Sequence, residues 1–220
     1  MSTIDNTIFY GIILCAFIAS RLPILGKMLC VLYTMIHETA HAFAAIISGS
    51  KIISIDLFHD TSGIAKTATT NSLATFIIVI AGYPLSAFFS FFSAWLIKNN
   101  RYEMLLIILL IIASTNLLLW VRNKYGIVWL IIFTCLSGFV LYQKDFFHLQ
   151  VLSIFFSAIL FLENIIKSFT VFYLSLKNPA QSGDARILYQ TTGIPSIFWA
   201  SLFLLVSIYT SYLSVLLFLT

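Results

Sequence analysis

Apolar runs of about twenty residues recur along this chain, each near the length that spans the hydrocarbon core of a bilayer. The first covers Thr7 to Ser20 and reaches spanning length only if it continues past Arg21 and Pro23. The second runs from Met28 to Ile47. Five more follow: Leu73 to Ile97, Met104 to Trp120, Gly126 to Tyr142, Phe146 to Leu176 and Ile194 to Leu219. Of the 220 residues, 60% are hydrophobic and 9% charged, where a soluble domain carries about 25% charged residues. A surface that poor in charge does not stay in water as a monomer. The reading is an all-α polytopic membrane protein of about six to seven transmembrane helices, built as one domain over residues 1–220.

Two stretches break the pattern. Between the second and third runs, Lys51 to Phe58 alternates and is rich in β-branched residues, as a strand does. Asp60-Thr-Ser-Gly63 reads as a turn and Ile64 to Thr70 as a returning strand. Lys177 to Gly193 reads as a polar loop. The net charge of +4 is spread over loops, which excludes a nucleic-acid surface. Lys and Arg divide almost equally between alternate loops, so the positive-inside rule gives no orientation. Cys15, Cys30 and Cys135 lie in apolar runs without CxxC spacing and read as buried small hydrophobes. The N-terminal run lacks the charged region and small-residue cleavage site of a secretory signal, and is expected to be retained as a helix.

Chemistry is concentrated in His37-Glu38-Thr39-Ala40-His41, inside the second run. On a helix, residues four apart share a face, so both imidazoles can turn toward one metal ion. Glu38 is rotated by about 100° from His37, within reach of a water on that metal without being a ligand. His37 lies about 15 Å along the helix from Lys27, near the middle of a bilayer. Two histidines and a glutamate at that depth disfavour insertion unless something neutralises them, and a metal does so. The alternatives are that they only hold helices together, or that they match the pattern by chance, on the order of once in a thousand such chains.

A catalytic zinc site usually has three protein ligands and a water. Five residues are candidates for the third. His59 and Asp60 follow the motif closely. His148 reads as an interfacial histidine. Glu163 has Lys167 four residues on, the spacing of a local ion pair. Asp184 is flanked by small, turn-forming residues that let backbone approach a metal. Spacing alone ranks Asp184 first and Asp60 second, with little between them.

The chain resembles the site-2-protease-type intramembrane zinc metallopeptidases, in the B-like branch of peptidase family M fifty. The blocks that carry the likeness occur in the family's order. They are His37-Glu-Thr-Ala-His-Ala-Phe43, Phe58-His-Asp-Thr-Ser-Gly63, Ala81-Gly-Tyr-Pro84, Arg122-Asn-Lys-Tyr-Gly126, Gly183-Asp-Ala185, Thr192-Gly-Ile-Pro195 and Trp199. The resemblance implies one zinc ion per chain, held by His37, His41 and Asp184, with Glu38 as general base and then acid. It implies a short membrane-associated β-hairpin after the metal-binding helix, presenting an extended substrate, with Ile53, Ile55, Leu57 and Asp60 as substrate-binding candidates. Gly82 and Pro84 fall where the family packs the next helix close to the site, and are also substrate-binding candidates. The better-studied branches carry Leu-Asp-Gly around the aspartate, where this chain has Gly-Asp-Ala, and no PDZ-like or CBS-like regulatory domain is recognised. The implied partners are a membrane protein or peptide substrate and the lipid bilayer, in a multi-pass protein of a bacterial cell membrane.

The expected activity is therefore zinc-assisted hydrolysis of a locally unwound membrane segment, with edge pairing along Ile53 to Leu57 holding it extended. The alternative is a non-proteolytic scaffold, or a handler of metal or solute, with a structural or relic zinc site. A structural site needs no base, so Glu38 separates the two. Internal repeats and paired broken helices, the pointers to a transporter, are not found in the sequence.

Overall fold

The computed structural model describes residues 5–69 and 71–219. Helix α1 (Asn6–Arg21) leads into α2 (Leu25–Ile47), and a hairpin of β1 (Lys51–Leu57) and β2 (Gly63–Ala68) follows. Then come α3 (Ser72–Lys98), α4 (Tyr102–Thr115), α5 (Lys124–Gln143), α6 (Phe146–Lys177), the short α7 (Asp184–Thr192) and α8 (Ser196–Leu219). Helix α4 is continued by a π-helical turn over Asn116–Trp120. Among the described residues, six helices are long and apolar enough to cross a membrane: α2, α3, α4 with its π turn, α5, α6 and α8. The protein is thus an integral, multi-pass membrane protein. Helix α1, with 16 residues, is apolar but short; it stops before Pro23 and so does not reach the spanning length that continuing past Pro23 would have given it.

Helix α2 is the centre of the bundle. In its most apolar window 72% of residues are buried, against 22% in α8, so protein rather than lipid surrounds it. It packs against α1, α3 and α6 and against both strands. Buried serines line the helix contacts, among them Ser93 and Ser157, whose hydroxyls lie 2.9 Å apart between α3 and α6. Small hydroxyl side chains let membrane helices approach and satisfy one another in the absence of water. One apolar cluster gathers Met35, Leu105, Leu130 and Ile154 with Ile55 and Leu57 of β1. A second joins Val79, Tyr83, Val171, Leu188 and Phe203, and seats α7 among α3, α6 and α8.

The hairpin is antiparallel, with Leu57 opposite Gly63 and Lys51 opposite Ala68, and an irregularity in register between Ile52 and Ser54. Its returning strand stops at Ala68; the expected end at Thr70 lies outside the described residues. The outer edge of β1 is occupied. Ile55 bridges Val121 in parallel. Asn123 accepts from the Leu57 amide at 3.1 Å and donates to the Leu57 carbonyl at 2.5 Å, which imitates a strand. The second edge of β2 pairs with no strand among the described residues.

Four expectations need amendment. The stretch from Lys177 to Gly193 contains α7, because Ala185 and Leu188 are fully buried against neighbouring helices. Glu163 pairs with Arg21 of α1 at 2.7 Å, not with Lys167. Cys15 and Cys135 are exposed on helix surfaces and only Cys30 is buried, since apolar positions of outer helices face lipid. Ile55 and Leu57 are buried in the core with their edge taken, so they offer no free edge for pairing.

Candidate metal centre

Three side chains converge beside α2. The Nε2 atoms of His37 and His41 are 3.1 Å apart. Asp184 Oδ2 lies 3.2 Å from the first and 3.3 Å from the second. The helix spacing brings the imidazoles together, with their planes at 89°. The aspartate arrives from the other end of the chain as the first residue of α7. Gly183 precedes it with φ +55°, a conformation that strongly favours glycine.

The triangle fits a zinc ion. Tetrahedral ligands at the usual zinc bond lengths of about 2.0–2.1 Å stand about 3.3 Å from one another. The donor set of two neutral imidazoles and a carboxylate is one that zinc favours. His41 Nδ1 is 2.8 Å from the Ile78 carbonyl, so it carries the ring proton and donates it there. That leaves the Nε2 lone pair facing His37 and Asp184, the outer contact that commonly fixes a ligating histidine. Asp184 Oδ2 is buried without a hydrogen bond, which is costly unless a cation completes it.

Glycines set the distances around this triangle. A Cβ on Gly82 of α3 would stand 2.5 Å from His41 Cε1 and 2.6 Å from His37 Cε1. Gly82 is therefore a packing floor under both rings. A Cβ on Gly63 of β2 would stand 2.5 Å from Glu38 Oε1 and 2.6 Å from Thr34 Cγ2. The first residue of β2 thus rests directly on the Glu38 carboxyl.

A cavity of about 780 Å³ opens over the centre. His37, Glu38, His41 and Asp184 line it together with β2 from Gly63 to Thr67, and Tyr33, Tyr83 and Lys167 contribute side chains. Ile64 and Lys66 are exposed, so the cavity reaches the surface along β2. Hairpin and α7 both enter the protein to meet α2. Such irregular backbone is tolerated at membrane depth where protein or a wet cavity surrounds it.

The remaining candidates fall elsewhere. Asp60 is exposed in the hairpin turn, where Oδ1 accepts from the Ser62 amide at 3.0 Å and from its hydroxyl at 2.6 Å. Those bonds hold the Asp60 carboxyl below its ordinary value. His148 sits 3.0 Å from Asp145, the N-cap of α6. Ile53 is exposed, at the irregularity in β1. Pro84 does not line the cavity. Sequence reasoning passed over Tyr83, whose ring meets His37 edge-on at 4.6 Å, although it stands between Gly82 and Pro84. It also passed over Thr34 and Lys167, which carry no local pattern.

No curated protein and no solved structure matches this chain. The Peptidase M50B-like family model matches residues 10–214, a stretch that takes in the two histidines, the glutamate, the hairpin and Asp184. The chain belongs to the Peptidase M50B-like family, whose members are membrane metalloproteases.

Proposed function

We propose that this protein is a zinc metalloendopeptidase, one catalytic domain that hydrolyses peptide bonds in membrane-spanning or membrane-proximal segments of its substrates. The observation that carries the reading is the near-equilateral triangle of His37, His41 and Asp184 beside Glu38, at the floor of a cavity lined by β2, whose second edge pairs with no strand among the described residues. Zinc, when bound there, supplies Lewis acidity, which acidifies water and polarises a carbonyl. Glu38 takes a proton from the attacking water and later gives it to the leaving amine. His41 is held in one tautomer by the Ile78 carbonyl, so its donor atom needs no reorganisation. The cavity admits water while the surrounding helices keep lipid away.

An extended substrate segment adds to the edge of β2 that faces away from β1, with main-chain hydrogen bonds holding it open. This edge, rather than Ile53 to Leu57 of β1, runs along the cavity. A helical segment must unwind to use it, because a helix hides its own carbonyls.

The test is zinc per chain in detergent-purified protein, with Asp184→Ala alongside. About one zinc in the wild type, lost or much weakened in the variant, is the expected result. Equal zinc in both would move the third ligand elsewhere. With zinc in place, Glu38→Gln separates a protease from a scaffold: turnover falls by about 10²–10⁴ in the first case and function persists in the second.

A further inference from the structure

Thr61, in the hairpin turn, has φ +70°. A β-branched residue is strained there because its Cβ crowds the backbone, and it persists only where the surroundings over-determine it. Two helices do so. Thr34 of α2 donates its hydroxyl to the Thr61 carbonyl at 2.8 Å. Lys167 of α6 donates from Nζ to the same carbonyl at 2.9 Å and to Thr61 Oγ1 at 2.6 Å. Lys167 has no carboxylate within ion-pair distance among the described residues; Glu163, one turn back, is taken by Arg21. A partly buried ammonium in a membrane protein thus spends two donors on one strained turn residue. Two residues further on, Gly63 rests on the Glu38 carboxyl.

We infer that Lys167 is a positioning residue: by clamping Thr61 in its left-handed conformation, it sets where the first residues of β2 stand against Glu38. Without the clamp, Thr61 relaxes toward the right-handed region. The chain then leaves the turn in another direction, and β2 withdraws from the carboxyl and from the cavity it lines. The catalytic consequence rests on the hydrolase reading above; the structural one does not.

The test uses the full chain in nanodiscs with zinc, as Lys167→Met and as Lys167→Met with Thr61→Gly. Hydrogen exchange is followed over residues 58–67, with zinc content as control. Turnover is followed on a quenched fluorogenic library of single-span peptides. Lys167→Met keeps the side-chain stem but removes the donors. It is expected to speed exchange in the hairpin about tenfold, to leave zinc content unchanged, and to lower turnover by a similar factor. Glycine takes positive φ without strain, so Thr61→Gly is expected to restore most of both losses. A lysine that merely packed α6, or that touched substrate, would not be rescued at residue 61. Unchanged hairpin exchange in Lys167→Met, or failure of Thr61→Gly to restore it, overturns the inference. Should Lys167→Met not fold, Thr34→Val removes the other donor and is held to the same outcomes. Hairpin changes as expected, in a wild type that cleaves nothing, would support the clamp and count against the hydrolase reading.

Discussion

At Gly82 a single hydrogen atom separates α3 from two imidazole rings. Gly82→Ala would place a methyl about 2.5 Å from both, so either the rings turn or α3 withdraws. We expect zinc affinity to fall at least about tenfold, within the range seen when a ligand loses its supporting contact. Competition with a chromogenic chelator measures it, and circular dichroism checks that helicity is kept. Glu38→Gln changes one atom and leaves the ligand triangle intact. Turnover should fall by about 10²–10⁴, with zinc retained; loss of zinc instead would mean that Glu38 supports the metal. These residues differ in how openly the sequence announces them. His37, Glu38 and His41 share one helical turn, so spacing alone marks them. Asp184 reaches them from the far end of the chain, and spacing could only rank it above Asp60. Thr34, Tyr83 and Lys167 acquire their roles by tertiary packing and leave no local trace.

The hairpin is the element whose boundaries were most legible. Alternation marks β1, and Asp60 to Gly63 marks the turn, where Asp60 closes on Ser62. What alternation could not say is which edge stays free, because Val121 and Asn123 come from beyond α4. Asn123→Ala removes both hydrogen bonds to Leu57 and leaves two backbone groups unpaired. A cost of about 1–3 kcal/mol is expected, read as faster exchange in β1 and a lower melting temperature. A rise in stability would contradict the edge-sealing role. Asp60 carries a pH dependence of definite sign. Its folded carboxyl titrates below the ordinary aspartate value of 3.8. Its contribution is therefore complete above that value and is lost as pH falls through the lower folded one. Exchange at Ser62, corrected for the intrinsic rate, should accelerate in that acidic window and not near neutrality. Helix α7 shows the opposite limit of legibility. Its sequence is polar and bounded by glycines, and nine residues are too few to be helical in isolation; burial of Ala185 and Leu188 makes it a helix.

Across the whole molecule, the long apolar helices were evident from hydrophobic runs, whereas the order in which they pack was not. Runs report length, and lipid-facing and protein-facing positions look alike when both are apolar. The candidate ligands tie α2 to α7, so a bound ion would act as a cross-link between early and late parts of the chain. Free zinc at a hundred times its dissociation constant should stabilise the fold by about 2.7 kcal/mol. Thermal unfolding in detergent, with zinc against excess chelator, reads this directly. An unchanged midpoint would mean that the triangle binds no zinc in the folded state.

The unequal lengths of α1 and α6 bear on the membrane itself. With 16 and 32 residues, they extend for about 24 Å and 48 Å at the helical rise, around a hydrocarbon core of about 30 Å. They also pack against each other. No single bilayer thickness suits both. Lipid beside α1 must thin, or α1 must draw its ends inward, while α6 must tilt or project. Such mismatch costs fractions of a kcal/mol per Å and sorts proteins between membranes. Lipid that meets α1 therefore reaches polar helix ends sooner than lipid that meets α6, and the bilayer should be thinnest along the side of the molecule that carries α1.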